Sequence, residues 1–217
     1  MKNKMLITCI LVAVSQFLGS VNAQDITLPE PHRTGGMPLM QALNERHSTR
    51  TFTNENLSQQ QLSDLMWAAW GYNRKDENKR TAPSSRDFQE IDVYVSMASG
   101  LYVYDAAKHI LKQVHNKDIR ALCGTQDFVA TAPLNIVYVA DMVKTGKKEG
   151  DAITDTDLLS SWANTGLIAQ NVYLFCASEK LGCVIRGLIP KEKLAPEMGL
   201  RPTQFIILSQ TIGVPVI

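Results

Sequence analysis

Cysteine is scarce in this chain, four in 217 residues, and no pair stands at zinc-ligand or C-x-x-C spacing. Beyond Cys9 near the N-terminus, Cys123, Cys176 and Cys183 are odd in number, so no disulfide framework is expected. Cys176 lies in an apolar helical run and Cys183 heads a β-like run, which suits small buried hydrophobes. Also missing are a G-x-S-x-G elbow, a P-loop, a G-x-G-x-x-G after a strand and an H-E-x-x-H pair, which sets aside the chemistries those motifs serve. The four histidines, His32, His47, His109 and His115, are scattered along exposed-looking segments and make no metal set. Charge of one sign is lacking too: 22 basic residues face 21 acidic ones, which argues against a nucleic-acid partner.

What is present reads as one globular domain, with 45% hydrophobic and 20% charged residues. The N-terminus differs from the rest. Lys2 and Lys4 precede an apolar run from Met5 to Leu18, and Val21-Asn22-Ala23 forms a small-residue cleavage pattern. Residues 1–23 are therefore expected to be a secretory signal peptide and the mature protein to be exported to the periplasm, with no stable membrane insertion after cleavage. Removing them leaves 20 basic against 21 acidic residues. Residues 24–37, punctuated by Pro29, Pro31, Gly35 and Gly36, read as an extended arm, and 38–217 as a single domain.

Within that domain, Pro38 with Leu39, Met40 and Leu43 predicts a short helix. It delivers the chain to Arg46-His47-Ser48-Thr49-Arg50-Thr51-Phe52, whose first five residues carry two guanidiniums and two hydroxyls suited to an anion. Ser58 with Gln61 forms a capping-box pattern ahead of a second helix. The segment Tyr72 to Arg80 reads as a polar loop. Ile91 to Met97 and Leu101 to Tyr104 read as a hairpin, a helix-like stretch covers Ala106 to Leu111, and Leu134 to Ala140 is a buried strand. Asp155 or Asp157 is expected to cap a long helix running to Leu181, so poor in polar surface that core and subunit interface both suit it. Cys183 to Ile185 and Phe205 to Leu208 complete a mixed α+β domain.

Three features in this order resemble the nitroreductase-like superfamily of FMN-dependent oxidoreductases. The first is the Arg46 to Phe52 stretch; the second is Pro83-Ser84-Ser85-Arg86-Asp87-Phe88-Gln89 leading into a strand. The third is the helix from Asn164 to Gly182, followed by Arg186-Gly187. Thr81-Ala82-Pro83-Ser84 and Gly100 to Asp105 look closest to the branch of thiazole- and oxazole-peptide dehydrogenases.

The resemblance implies a mainly antiparallel central sheet flanked by helices, with a long buried helix at a dimer interface and FMN bound between two subunits. It implies that Arg46, Ser48 and Arg50 hold the FMN phosphate and ribityl chain, with His47 lining the site. Pro83, Ser84 and Ser85 would lie along the isoalloxazine and the opposite subunit's flavin. Backbone amides at Arg186 and Gly187 would face N5 and O4, and Gln126 the pyrimidine edge. No side-chain acid or base is implied, since flavin N5 carries the hydride. The implied reaction is ping-pong transfer to a small nitro, quinone or related acceptor, from NAD(P)H or an envelope donor. Oxidation of an azoline peptide, or flavin binding without turnover, are the alternatives. Two departures stand out: Asp87 replaces the usual Asn, and Ser209 to Ile217 has no basic residue to complete a phosphate site.

Overall fold

The computed structural model describes residues 24–216, and the signal-peptide reading lies outside the described residues. Its frame is a seven-stranded sheet in the order β1 (Ile26–Thr27), β6 (Ile110–His115), β5 (Gly100–Asp105), β4 (Ile91–Met97), β7 (Leu134–Asp141), β9 (Gln204–Gly213), β8 (Gly182–Arg186). Every neighbouring pair is antiparallel.

The hairpin of β4 (Ile91–Met97) and β5 (Gly100–Asp105) forms as expected, turning through Ala98 and Ser99. Gly100 is required there: its φ is +137° and a Cβ would sit 2.3 Å from the His115 carbonyl oxygen. The structure replaces the helix expected over Ala106 to Leu111 with a turn and a third meander strand, β6 (Ile110–His115). Asp105 does cap backbone N–H groups, those of Ala107 and Lys108, but it closes a turn, and His109 follows at φ +53°. An aspartate serves turns as readily as helix starts, and the apolar residues beyond pair with β5. The arm contributes β1 (Ile26–Thr27), which extends the sheet beside β6.

All eight residues of β7 (Leu134–Asp141) are buried, since helices cover one face and loops with a short helix the other. β9 (Gln204–Gly213) runs beyond the expected Phe205 to Leu208 and pairs with β7 and with the edge strand β8 (Gly182–Arg186).

α1 (Leu39–Glu45), α2 (Gln59–Trp70) and α4 (Asp155–Ser178) lie on one face. The Ser58/Gln61 capping box is present. α4 is capped by Thr154, one residue before the expected aspartates, and Asp157 supplies the return arm of its box. α3 (Phe128–Thr131) and α5 (Lys191–Glu197) cover the other face, around Ile119, Cys123, Val129 and Leu194. The polar Tyr72 to Arg80 segment folds as a small hairpin of β2 (Tyr72–Arg74) and β3 (Lys79–Arg80), with the Arg80 guanidinium between the Trp70 and Tyr72 rings.

Candidate active site

α1 ends where the Arg46 N–H donates to the Ala42 carbonyl, and the chain then runs extended along the sheet edge. Thr49 N–H donates to the Cys183 carbonyl at 3.0 Å and Thr53 N–H to the Val214 carbonyl at 2.9 Å. Gly182 permits this approach, because a Cβ there would stand 2.7 Å from Thr49 Cγ2. The Arg46 guanidinium lies 5.2 Å over the Tyr173 ring, and Ser48 Oγ is 2.9 Å from the Tyr173 hydroxyl, which also accepts the Ile185 N–H at 3.0 Å. His47 Nδ1–H donates to the Glu45 carbonyl, leaving Nε2 free of that bond. Among the described residues, neither Arg46 nor Arg50 has a carboxylate within 4.0 Å. Two forks without a carboxylate partner, four residues apart in one extended segment, suit a multiply charged anion.

The same edge continues along β8. Cys183 turns its carbonyl outward to Thr49 and Ile185 its N–H outward to Tyr173, so strand alternation brings Gly187 to that edge. A Cβ at Gly187 would meet only Leu208 Cδ2, at 3.7 Å, so the backbone is open to a flat partner.

The Arg186 side chain turns the other way, into the core. It is 6% exposed and donates to the Cys123 carbonyl, Asn135 Oδ1, Ser209 Oγ and Thr211 Oγ1 at 2.7–3.0 Å. Burial pulls this guanidinium down to about 10, so it stays charged at neutral pH. Desolvating a cation costs several kcal/mol, and charged hydrogen bonds at roughly 1.5–3 kcal/mol each repay that. All four acceptors are neutral, however, so the charge is satisfied without being cancelled. Gly124 makes the space: a Cβ there would lie 1.8 Å from Arg186 Nη1. Two residues on, Gln126 holds its Oε1 buried with no hydrogen-bond partner. The Phe128 ring joins this wall to the Arg46 stretch, 5.8 Å from the Arg186 guanidinium and 5.8 Å from Phe52.

The loop of Pro83, Ser84 and Ser85 is not brought to this cluster. Ser85 N–H donates to Asn164 Oδ1, and Asn164 Nδ2 donates to the buried Glu90. Asn164 and Tyr173 are nine residues apart on α4, which places them about 13 Å apart along the axis and roughly 180° around it. In one chain the two predicted groups therefore stand on opposite sides of α4. Arg86, Asp87 and Gln89 all have φ near +50°, a strained turn costing on the order of 1 kcal/mol or more per residue. Ser84 Oγ holds it by accepting the Gln89 N–H, and Asp87 is bound to Lys79 at 2.6 Å. Lys79 also holds the Asp87 carboxyl below its usual range. The Asp87 departure thus makes a surface ion pair.

Tyr173, Asn164 and Phe128 were not among the expected site residues. Tyr173 read as one more apolar residue of the helix, and its hydroxyl was the only signal of its role.

The nitroreductase family model matches residues 43–214. The chain belongs to the nitroreductase family. It is accordingly an oxidoreductase, with the antiparallel sheet and flanking helices of that fold. A nitroreductase from Ralstonia eutropha is 44% identical, over 89% of this chain and 90% of that one, with a TM-score of 0.82. A chain of the E. coli microcin synthetase complex is 17% identical over 97% of this chain and 85% of its own, with a TM-score of 0.68. A nitroreductase from Desulfovibrio desulfuricans, crystallised with FMN, is 20% identical over 84% and 89%, with a TM-score of 0.58. The last two are likenesses of fold.

Proposed function

We propose that this protein is an exported, FMN-dependent oxidoreductase whose two flavin sites are each built from both subunits of a homodimer. The observation that carries the proposal is the Arg46 to Arg50 segment, which lies on the edge that continues to the open backbone of Gly187 and carries two arginines with no carboxylate partner among the described residues.

The residues present fit a phosphorylated flavin. Arg46 and Arg50 match a phosphate dianion, and Ser48 adds a hydroxyl fixed by Tyr173. The partnerless Oε1 of Gln126 suits an imide N–H such as the pyrimidine edge of the ring carries. Gly187 admits a flat ring against the backbone.

The monomer surface alone does not enclose such a ligand. The crevice beside Glu45, His47, Tyr173 and Cys183 holds about 20 Å³, against the several hundred Å³ of a cofactor pocket. A cavity of about 450 Å³ lies under the arm, lined by His32, Trp67, Asn171 and Phe175, and contains none of the expected site residues. A second copy supplies the missing wall. On α4, Leu159, Trp162 and Leu167 are 42–69% exposed, and α1 adds Leu39, Met40 and Leu43. Large apolar side chains left exposed on two neighbouring helices suit a large obligate interface. Docking there would bring the partner's Pro83 loop, displaced along α4 from its own Arg46, onto this chain's flavin.

Bound FMN would supply a two-electron carrier that takes up and releases hydride at N5. Arg46 and Arg50 would hold its phosphate, Gly187 would let the ring lie close to the backbone, and the partner's loop would exclude water. The acceptor is a small nitroarene or quinone, and the donor is NAD(P)H or a reductant of the cell envelope.

The test is the purified mature chain. It is expected to be a yellow dimer whose flavin is reduced by NADH, NADPH or an artificial donor and reoxidised by a nitroarene or quinone. A folded protein that is colourless and takes up no added FMN would overturn the proposal. Reoxidation by oxygen alone would remove its reductase part.

A further inference from the structure

Arg186 is a buried cation that the protein leaves electrostatically unanswered. Its hydrogen bonds go to one carbonyl, one amide oxygen and two hydroxyls, and among the described residues no carboxylate lies within 4.0 Å of it. Its Nε is buried without a partner. A structural arginine in a core is ordinarily paired, because an uncancelled charge in low dielectric projects its field over many ångströms.

The field has one near boundary. Nη1 donates to the Cys123 carbonyl and occupies the space a side chain at position 124 would fill, so it packs directly on the backbone that leads to Gln126. Gly187, the next residue along β8, lies on the open edge. The cation thus stands behind the wall formed by Cys123 to Gln126 on one side and Gly187 on the other.

We infer that Arg186 is a positioning residue that tunes the cofactor: its buried charge, held behind Gly124, selectively stabilises the reduced, anionic flavin. This rests on the FMN reading given above. A hydride brings two electrons and one proton from the donor, which is oxidised, to N5 of the neutral oxidised ring. The ring is left with one negative charge, delocalised toward its pyrimidine edge, where Gln126 stands. A fixed cation behind that edge favours the product of this step over its reactant. It therefore raises the reduction potential, and it does so without touching the ring.

The experiment measures the midpoint potential of FMN bound to the full mature protein, by reduction with xanthine and xanthine oxidase against reference dyes. Arg186→Gln is expected to weaken binding of reduced relative to oxidised FMN at least tenfold, a fall of about 30 mV for a two-electron couple. Oxidised FMN should bind within about threefold of wild type, and Arg186→Lys, which keeps the charge, should recover most of the shift. Gly124→Ala offers a second route, because it keeps the arginine and pushes the guanidinium off the wall; it should lower the potential in the same direction. An Arg186→Gln protein with bound FMN at the wild-type potential would overturn the inference and leave the flavoprotein reading intact. If that variant does not fold, an unchanged potential in Gly124→Ala overturns it instead. A wild-type protein that binds no FMN removes both.

Discussion

Arg46 and Arg50 are alike in sequence and unequal in structure. Arg46 is half-buried and stacked on Tyr173, so its fork is already oriented, whereas Arg50 is exposed and must be ordered by its ligand. Arg46→Ala should therefore cost more FMN affinity than Arg50→Ala, by about 2–3 kcal/mol against about 1 kcal/mol, read by flavin-fluorescence titration. Arg46→Lys should rescue little, because an ammonium does not reproduce the stacked planar fork. The Arg46 stretch stood out in the sequence because two guanidiniums flank two hydroxyls within five residues. Arg186 was legible only as a neighbour of Gly187. Its side chain lies among Asn135, Ser209 and Thr211, which come from strands remote in the chain. His109 was misjudged as exposed. It bonds Ser63 and Tyr104, and burial lowers its pKa below the usual 6.5. With the folded value depressed, the unfolded chain binds the proton more readily, so His109 costs the fold stability as pH falls from about 7 through 6.5 toward the folded value. Thermal melts between pH 5 and 8 should show that decline, and His109→Gln should flatten it.

Among the elements, α4 carries the most consequence. Its start was displaced by one residue because Asp155, Asp157 and Thr154 are all competent caps, and the choice depends on which one faces free N–H groups. Thr154→Ala should lower stability by about 1 kcal/mol. Asn164→Ala should do more, since it strips partners from both the Ser85 N–H and the buried Glu90. Thermal denaturation followed by circular dichroism ranks the two, and equal Tm values would show that the loop does not depend on Asn164. The strand β6, read from sequence as a helix, shows where local signals end. Asp105 and the apolar spacing after it allow a helix, and only β5, already in place alongside, decides for a strand. The β4–β5 hairpin and β7 were readable because alternation and continuous burial follow directly from their positions in the sheet.

For the molecule as a whole, cofactor and assembly should be lost together. Leu167→Lys places a charge among the exposed apolar residues of α4 and should yield a monomer by analytical ultracentrifugation. That monomer should release FMN even though Arg46, Ser48 and Gly187 are untouched. A monomer that stays yellow would mean one chain suffices. The two-sided character of α4, with Tyr173 serving one group and Asn164 the other, also governs how damage is inherited. In the proposed homodimer a subunit disabled at Arg46 and Arg50 would still lend a sound Pro83 loop to its neighbour, and a subunit disabled in that loop would still offer sound arginines. Mixed dimers of these two inactive parents would concentrate both defects in one site and leave the other whole, so activity should reappear on mixing two proteins that each have none.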